Sequence, residues 1–321
     1  MVYQQKENGH RRQIVLAFLL LVLLLAGCRS KTELPSYSGD DGAAFTFIDD
    51  MGREVTMNKP ERIVSLAPSS TEILFALGLG DKVVGVDDFS DYPSEVTLID
   101  KVGAYDNPSL EKIVALKPDL VLADSIHKTA VTKLEELGIP VAVAFPRDLE
   151  GVLTSIRWIG IAAGARDQGV ELEADLARRI RLVDEQVAQI PEEERPWVYY
   201  ELFSEPIMTA GPNTLSSELI VRAGGRNIAY DAVTDYPEFS SEAILSRNPD
   251  VIIFSEVQGM ESVQEKSILA RPGWDTVNAI QNGRLYSMGD IIARPGPRVV
   301  EALEQLFELF HCHKDHTSMT S

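Results

Sequence analysis

The chain has 321 residues, with 49 acidic side chains against 30 lysines and arginines and a formal net charge of −19. A surface this acidic repels nucleic acid and anionic lipid headgroups, so we expect neither as a binding partner. The length suggests two domains of roughly 100 to 200 residues each.

Residues 1–27 have the pattern of an export signal. A charged start ending at Arg12 precedes an apolar run over residues 14–26, and these 13 residues are fewer than the roughly 18 to 20 that span a bilayer. The letters "LAGC" follow and resemble the lipobox of bacterial lipoproteins, which would make Cys28 the lipid-bearing first residue of the mature chain. The alternative is an uncleaved signal-anchor with an incidental cysteine.

Residues 28–44 are polar and rich in turn-forming residues, which predicts a flexible tether. A lipid on Cys28 leaves Cys312, the only other cysteine, without a partner, so we expect no disulfide. We therefore expect an exported protein that only a lipid anchor attaches to the membrane. It would lie in the periplasm or on the outer face of the membrane.

Residues 45–166 are predicted to form an amino-terminal α/β lobe. It begins with "FTFIDDMGREVTM", which indicates two short strands around a turn. Apolar strands then alternate with helices, and the first helix, "SSTEILFALG", has Ser69 and Glu72 at the spacing of a capping box. Strands that are apolar throughout and alternate with helices predict a parallel sheet covered on both faces.

A long helix is predicted over residues 167–190, because one face stays apolar for its whole length. The residues of this face are Leu172, Leu176, Ile180, Val183, Val187 and Ile190. The alternation of strands and helices resumes over residues 191–311, and residues 312–321 are predicted to be a disordered tail. The predicted fold class is α/β, with two lobes, each a mainly parallel sheet flanked by helices, joined by one long α-helix.

A segment of the chain occurs twice. "SLEKIVALKPDLVLA" begins at residue 109 and "SSEAILSRNPDVIIF" at residue 240, with five of fifteen positions identical. Each copy predicts a helix, a Pro-Asp break and a buried strand, with Glu111 and Glu242 at the same place near the helix start. An acid there stabilises the helix dipole, which is one interpretation of the repeated glutamate.

No signature of a common enzyme class occurs in the chain: it has no P-loop, no G-x-G-x-x-G and no G-x-S-x-G. His127 is the one histidine between the export signal and the tail, so a cleft enzyme would have to use it. We expect His127 to be a solvent-facing residue near a helix start, and the alternative is an imidazole that approaches a bound metal. We predict no catalytic residue and no resident cofactor.

The tail contains a cluster of metal-ligand residue types: His311, Cys312, His313 and His316. A metal site there is conceivable. A frayed polar terminus with no packed shell around it explains the cluster better, and we predict no metal site.

Aromatic residues follow or precede strands in both lobes, where open α/β sheets bind their ligands. They are Phe89, Tyr92, Tyr105, Tyr236 and Phe239. Flat aromatic faces from two lobes suit a large, rigid ligand with apolar area and polar edges. Single aromatic residues near loops are also ordinary filler, which is the alternative.

The sequence from about Phe45 to the end of the last helix resembles the substrate-binding lipoproteins of ABC importers. The resemblance rests on "DDMGREV", "PERIVSLAPSSTEILFALGLGDKVVGV", "SLEKIVALKPDLVLA" and "RPGPRVVEAL", in this order. The matching subgroup has a long connecting helix and carries iron-siderophores, haem or cobalamin. It implies a ligand held between two lobes with little closure.

"FSDYP" and the first repeated segment are most similar to the cobalamin-binding members of this family. In those members, aromatic residues matching Phe89, Tyr105 and Tyr236 contact the corrin, and a loop matching residues 290–294 also contacts the ligand. In this loop, and at one further site, the chain departs from the family pattern. Ile291 and Ile292 replace two aromatic residues, Asp124 replaces a tryptophan, and Arg294 ends the loop. The resemblance implies a corrinoid, and haem or a ferric siderophore is the alternative ligand.

The family also offers an interpretation of the repeated glutamates. Each lobe of these proteins presents a surface glutamate to arginines on one of two permease subunits, and Glu111 and Glu242 match these two residues. A two-lobed monomer that docks on a two-fold symmetric partner needs the same anchor twice. We therefore expect a monomeric binding protein with an ABC permease as its partner.

Overall fold

The computed structural model describes residues 44–255 and 263–312. The predicted export signal over residues 1–27, the proposed lipid site at Cys28 and the tail beyond Cys312 lie outside the described residues. Within the described ranges, no helix combines the length and the apolar character that a membrane span requires.

The amino-terminal lobe is built on a parallel sheet of four buried strands. The strands are β3 (Ile63–Ser65), β4 (Val83–Val86), β7 (Leu120–Ala123) and β8 (Val141–Val143). They lie in the order β4-β3-β7-β8. The helices of the lobe are α1 (Pro68–Ala76), α2 (Leu110–Ala115) and α3 (Lys128–Glu136). Two antiparallel hairpins accompany the sheet: the predicted pair β1 (Phe45–Ile48) and β2 (Glu54–Met57), and the unpredicted pair β5 (Gly103–Ala104) and β6 (Asn107–Pro108).

The carboxyl-terminal lobe has a parallel sheet of the same design. Its strands are β9 (Trp197–Glu201), β12 (Arg226–Asn227), β13 (Val251–Phe254) and β14 (Leu285–Ser287). They lie in the order β12-β9-β13-β14. A hairpin joins β10 (Phe203–Ser204) to β11 (Ile207–Met208). The helices are α6 (Leu215–Arg222), α7 (Ser241–Arg247), α8 (Glu265–Leu269), α9 (Asn278–Gln281) and α10 (Val299–His311).

When the four strands of each sheet are numbered in chain order, both sheets have the spatial order 2-1-3-4. The repeated sequence forms the third strand of each sheet and the helix before it. The predicted fold class, two α/β lobes with parallel sheets flanked by helices, is confirmed.

Two helices join the lobes, α4 (Leu149–Ala162) and α5 (Arg166–Val187). The turn between them is short, so the helices form an antiparallel pair, and they cross closely where Gly160 meets Gly169. A Cβ atom on Gly160 would lie 3.0 Å from the Gly169 Cα atom. Small residues at the crossing let the two backbones approach each other, which fixes how α4 lies against α5.

Helix α5 buries the face that the apolar spacing predicted. Its buried positions include Leu176, Ile180, Val183 and Val187. The helix ends at Val187 rather than at the predicted Ile190. Pro191 follows Ile190, and a proline disfavours the helical conformation of the residue before it.

The largest hydrophobic cluster is shared by the two lobes, because it takes side chains from α1 and α4 as well as from α5, α6 and α10. A second cluster packs behind the amino-terminal sheet and a third behind the carboxyl-terminal sheet. The shared cluster holds the two lobes together on one side, and the carboxyl ends of the strands remain free to form a site.

Four of the five repeated positions have a structural role. Ser109 and Ser240 cap α2 and α7, where their hydroxyl oxygens accept hydrogen bonds from backbone N–H groups. Ile113 and Ile244 are fully buried in the outer clusters.

The prolines of the repeat, at positions 118 and 249, are buried, and the repeated aspartates hold the start of the first strand in each lobe. Asp119 accepts hydrogen bonds from the N–H groups of Glu61 and Arg62, and Asp250 accepts one from the N–H of Trp197 at 2.8 Å. The repeated glutamates are left without a role in the core.

The predicted capping box of α1 does not form. The helix begins at Pro68 with Ala67 as its N-cap residue, and no side chain caps it. Proline suits the first position of a helix because its missing N–H is not needed there. Ser69 therefore lies inside the helix, and Glu72 is free to bind elsewhere.

Candidate functional site

A cavity of about 580 Å³ lies between the lobes, a size within the range of roughly 300 to 1,000 Å³ that is usual for small-molecule sites. The amino-terminal lobe lines it with Ala67, Pro68, Ser69, Phe89, Asp91, Tyr105, Asp124, Phe145, Pro146 and Arg147. The carboxyl-terminal lobe lines it with Asn213, Thr214, Leu215, Asp235, Tyr236, Asp290, Ala293, Arg294 and Pro295. These residues lie in the connections that follow the carboxyl ends of β3, β4, β7, β8, β9, β12 and β14, where α/β sheets bind ligands.

Phe89 reaches the cavity from a turn that a buried carboxylate organises. Asp87 accepts a hydrogen bond from the N–H of Phe89 at 2.8 Å and another from the hydroxyl of Ser90. Burial raises the pKa of Asp87, and these hydrogen bonds oppose the rise. The turn after β4 is thereby fixed, and it holds Phe89 at the cavity wall.

Tyr105 is held in place by His127. The imidazole Nδ1 accepts a hydrogen bond from the N–H of Asp124 at 2.9 Å, and Nε2 contacts the carbonyl oxygen of Tyr105. Because Nδ1 is an acceptor, the proton lies on Nε2, which donates to the carbonyl. The ring of Tyr105 also packs edge-on against the imidazole, with centroids 5.4 Å apart.

The expectation that His127 faces solvent is wrong, since only 3% of the residue is exposed. The alternative, an imidazole that approaches a bound metal, fits no better, because both ring nitrogens are occupied by the backbone. The same geometry leaves His127 without a free nitrogen for general base catalysis.

Tyr236 enters from a segment that lies against the loop after β11. The N–H of Gly211 donates to the carbonyl of Asp235 at 2.7 Å, and the N–H of Thr209 donates to Pro237 at 3.1 Å. Any Cβ atom at position 211 would collide with the carbonyl oxygen of Thr234, so the approach requires glycine. About half of Tyr236 is exposed, and its ring is available to a ligand.

The charged residues of the cavity are mostly acidic. Four aspartates line it, Asp91, Asp124, Asp235 and Asp290, against the two arginines Arg147 and Arg294. Both arginines are already in ion pairs: Arg147 with Asp235, across the cavity, and Arg294 with Asp91 and Asp290. The site is therefore negative overall and offers no unpaired cation to a ligand within the described lining.

A buried ion cluster fixes the floor of the cleft and links the lobes. Glu72 of α1, only 2% exposed in its side chain, binds Arg294 at 3.0 Å and Arg298 at 2.5 Å. Burial raises the pKa of Asp290, which lies beside Arg294, and the arginine charge opposes that rise. Arg294 thus lines the cavity as predicted, but its guanidinium is used by the protein.

Three residues that were predicted to contact the ligand do not line the cavity. Ile292 is fully buried, and Ile291 is partly buried against the same shared core, so neither lines the cavity. These two apolar side chains turn inward because the loop after β14 packs on the core. Tyr92 does not line the cavity either, and its ring lies under the guanidinium of Arg298, 4.0 Å away.

Phe239 was noted with the cleft aromatics but packs in the outer cluster of its lobe, beneath Arg247. Sequence reasoning missed Phe145 and Arg147, which follow β8, and Asp91 and Asp235. The signal that could have found them is their position in the connections that follow β4, β8 and β12 at the cleft edge.

Glu111 and Glu242 are exposed, each at the second position of its helix. A hydrogen bond with its own backbone N–H and one with Ser240 lower the pKa of Glu242. Helices α2 and α7 start at the carboxyl edges of their sheets, so the two glutamates lie at corresponding places on the cleft side of each lobe. Among the described residues, no group of three or more metal-ligand side chains could hold a metal ion.

Known proteins share this architecture. A family model for periplasmic binding proteins matches residues 63–291. An ABC transporter substrate-binding lipoprotein of Bacillus subtilis, YvrC, is 35% identical over 317 residues, which cover 93% of this chain and 96% of YvrC. A vitamin B12-binding protein of Vibrio campbellii is 32% identical over 254 residues, 78% of this chain and 89% of the relative.

A solved structure, the periplasmic haem-binding protein RhuT of Roseiflexus sp. RS-1, matches with a TM-score of 0.72 at 30% identity, and the match covers 78% of this chain and 98% of RhuT. The family match spans more than half of the chain, and the cavity lies where the two lobes meet. The chain therefore belongs to the periplasmic binding protein family, as the substrate-binding component of an ABC transporter.

Proposed function

We propose that this protein captures a corrinoid in the cavity between its lobes and delivers it to an ABC permease. The observation that carries the proposal is the lining of the cavity: aromatic faces from both lobes around a site with excess negative charge. The vitamin B12-binding relative supports the same ligand class.

The aromatic residues suit a large macrocycle. Phe89, Tyr105 and Phe145 come from one lobe and Tyr236 from the other, so flat surfaces are offered on both sides. A corrin ring has apolar faces and amide groups at its edge. The faces stack on aromatic side chains, and the amides can donate hydrogen bonds to aspartates.

The charge distinguishes a corrinoid from the alternative ligands. Haem carries carboxylate groups, and a cavity with four aspartates and two paired arginines repels them. Corrinoids carry amides in place of these acids and a positively charged cobalt centre. Haem or a ferric siderophore remains the second candidate, because the haem-binding RhuT has the same fold.

The decisive experiment is a set of calorimetric titrations with cyanocobalamin, cobinamide, haemin and ferric hydroxamates. We expect the corrinoids to bind and the iron compounds to bind more weakly, haemin because the aspartates repel its carboxylates. Phe89→Ala and Tyr236→Ala should each weaken corrinoid binding by about tenfold, as loss of a stacked aromatic face implies. Phe239→Ala is the matched control, because Phe239 packs outside the cavity. It should leave the corrinoid affinity unchanged. Binding of the iron compounds alone would refute the corrinoid proposal.

Delivery requires the protein to stay at the membrane and to dock on the permease. We propose that Cys28 carries a lipid, and that the monomer presents Glu111 and Glu242 to arginines of the two permease subunits. Cys28→Ser should release the protein from the membrane fraction and leave corrinoid binding intact. A Cys28→Ser variant that stays membrane-bound would mean that the apolar run is an uncleaved anchor.

The enzyme alternative has a direct test as well. A cleft enzyme would convert its ligand, whereas a transport protein returns it unchanged. Incubation of each corrinoid with the protein, followed by chromatography, should recover the ligand unaltered. Conversion of any corrinoid to a product would contradict the proposal that the protein only binds and delivers its ligand.

A further inference from the structure

A second cavity lies in the carboxyl-terminal lobe, far from the strand ends that form the cleft. Its volume is about 300 Å³, and its lining is polar: Glu193, Glu194, Arg195, Pro196, Arg226, Asp250, Asn282 and Arg284. These residues come just before β9, β13 and β14 or start β12. The cavity therefore lies at the amino edge of the sheet, opposite the edge that faces the proposed corrinoid.

Three arginines meet at this cavity: Arg195, Arg226 and Arg284. In an acidic chain, most arginines that the structure describes form ion pairs. These three have no carboxylate at ion-pair distance among the described residues. Three arginines that form no ion pair with the described residues therefore line one cavity.

The contacts of each arginine leave donors unused. Arg195 donates to the carbonyls of Val187 and Ile190, and Arg284 donates to those of Leu309 and Phe310. Arg226 stacks on the ring of Trp197 at 4.5 Å.

The Nε atoms of all three arginines are buried and have no hydrogen-bond partner within the described structure. Solvent does not reach these Nε atoms, so an anion in the cavity would meet the terminal Nη groups of the arginines.

The acidic residues that line the cavity form no ion pair with the three arginines among the described residues. Asp250 is occupied, since it accepts hydrogen bonds from the N–H of Trp197 and the side-chain amide of Asn278. Glu193 and Glu194 are exposed on a short turn and pair with no arginine that the structure describes.

The amino-terminal lobe treats the same edge differently. There Arg62 donates twice to the carbonyl of Leu116, and Lys82 pairs with Glu61 and the carbonyl of Pro60. The Nε of Arg62 has an acceptor, unlike the Nε atoms of the three arginines, and Lys82 has a carboxylate partner. The strand order that the two lobes share therefore does not by itself produce the cavity lined by Arg195, Arg226 and Arg284.

We propose that this cavity binds a tetrahedral oxyanion, either a free phosphate or the phosphate group of a larger molecule. Three guanidinium groups offer several N–H donors to an oxyanion, and arginine is the side chain best suited to such a group. The site is separate from the cleft and binds its anion independently of the transported ligand.

Calorimetry of the full-length chain in neutral detergent tests the proposal, with inorganic phosphate as the probe at constant ionic strength. We expect saturable binding of one phosphate, weakened about tenfold or more by Arg226→Gln or Arg195→Gln because a charged donor is lost. Arg62→Gln is the matched control, since it removes the same charge from the same edge of the other lobe. Arg226→Lys should retain part of the affinity.

Glycerophosphoglycerol, a soluble phosphodiester, serves as a second probe and distinguishes the two sources of phosphate. Tighter binding of the phosphodiester assigns a lipid headgroup, and tighter binding of inorganic phosphate assigns the free ion. Failure of both probes to bind, or equal losses in Arg226→Gln and Arg62→Gln, overturns the proposal. Corrinoid titrations of the same variants keep this result separate from the function proposed for the cleft.

His311 supplies a readout that needs no calorimeter. Burial lowers the pKa of His311, and the charges of Arg284 and Arg195 lower it further. Sulfate has a fixed charge over the relevant pH range, and its binding would screen these arginines. The histidine proton signal is assigned with His311→Gln. Addition of sulfate should raise the pH at which this signal titrates in the wild type and leave it unchanged in Arg226→Gln. An unchanged wild-type titration contradicts the site.

Discussion

The two lobes share one design at their carboxyl edges and differ at their amino edges. In both, the strand order is the same, the third strand follows the repeated helix, and the strand ends line the cleft. At the opposite edge, Arg62 and Lys82 of the amino-terminal lobe donate hydrogen bonds to backbone carbonyls of their own lobe, whereas three arginines of the carboxyl-terminal lobe line a cavity.

This difference indicates which residues of the repeated segment form the structural unit and which lie exposed on the cleft side. Serine, isoleucine, proline and aspartate of the repeat are needed to form the unit itself, and Glu111 and Glu242 stay exposed on the cleft side. The amino edge carries no such requirement, because no strand end there faces the ligand. The predictions below test the links between the lobes and the equivalence of the two halves.

The largest effect is expected from Glu72→Ala. This change leaves Arg298, and in part Arg294, buried without the carboxylate that joins the lobes. Breaking a buried ion pair on one side costs about 3 to 5 kcal/mol. Thermal and urea unfolding of the variant should show a loss of this size in the free energy of unfolding.

The matched control is an exposed ion pair between the lobes. Arg147 and Asp235 have side chains that are 64% and 40% exposed, and exposed pairs contribute about 0 to 1 kcal/mol. Asp235→Ala should therefore change the stability little. Equal losses in the two variants would mean that the buried cluster does not hold the lobes.

The next effect concerns the equivalence of the lobes in docking. Glu111→Ala or Glu242→Ala should each weaken binding to vesicle-bound permease, by about 2 kcal/mol or more if the ion pairs are desolvated at the interface. The double variant should show nearly additive losses, since the two sites share no contact. Pull-down of the permease measures the effect.

Glu265→Ala provides the control for this prediction, because Glu265 is also an exposed first-turn acid but lies outside the repeat. It should dock like the wild type. If the double variant also docks normally, or if it loses corrinoid instead, the repeated glutamates are only acids at helix starts.

A smaller effect is expected from His127→Ala in the amino-terminal lobe. The change leaves the carbonyl of Tyr105 and the N–H of Asp124 without their partner. A buried unpaired group costs about 1 to 3 kcal/mol. Corrinoid affinity should fall with the stability, because Tyr105 loses its support.

The visible absorption band of a bound corrinoid should not move in this variant, since His127 has no nitrogen free to bind cobalt. A shifted band would show that the imidazole contacts the metal. His127→Gln, which keeps both a donor and an acceptor, should recover part of the stability.

The smallest effect is a pH dependence in the carboxyl-terminal lobe. Burial lowers the pKa of His311 in the folded state, so the unfolded chain takes up a proton first as the pH falls, near the ordinary value of about 6.5. The stability contributed by neutral His311 is present above this pH and is lost below it.

His311→Gln should therefore reduce the difference in melting temperature between about pH 7.5 and pH 5.5. The glutamine can still donate to the carbonyl of Ala223, which His311 contacts at 2.9 Å. A variant with the same pH dependence as the wild type would show that other groups control it.

The sequence by itself determined the fold class and the place of the site. Apolar strands alternating with amphipathic helices are a local pattern, and it predicted both parallel sheets and the buried face of α5. The rule that ligands bind beyond the carboxyl ends of strands then located Phe89, Tyr105 and Tyr236 at the cleft, and the resemblance to cobalamin-binding proteins indicated Arg294.

Only the tertiary structure decided which way each loop residue turns. Ile291 and Ile292 turn into the core, Glu72 binds Arg294 and Arg298 instead of capping its own helix, and His127 is buried between two backbone groups. Arg294 and Arg298 lie more than 200 residues from Glu72, the carbonyl that His127 contacts belongs to a different loop, and the two isoleucines depend on how a whole loop packs. Periodicity and spacing describe near neighbours along the chain, so they carry no information about such contacts.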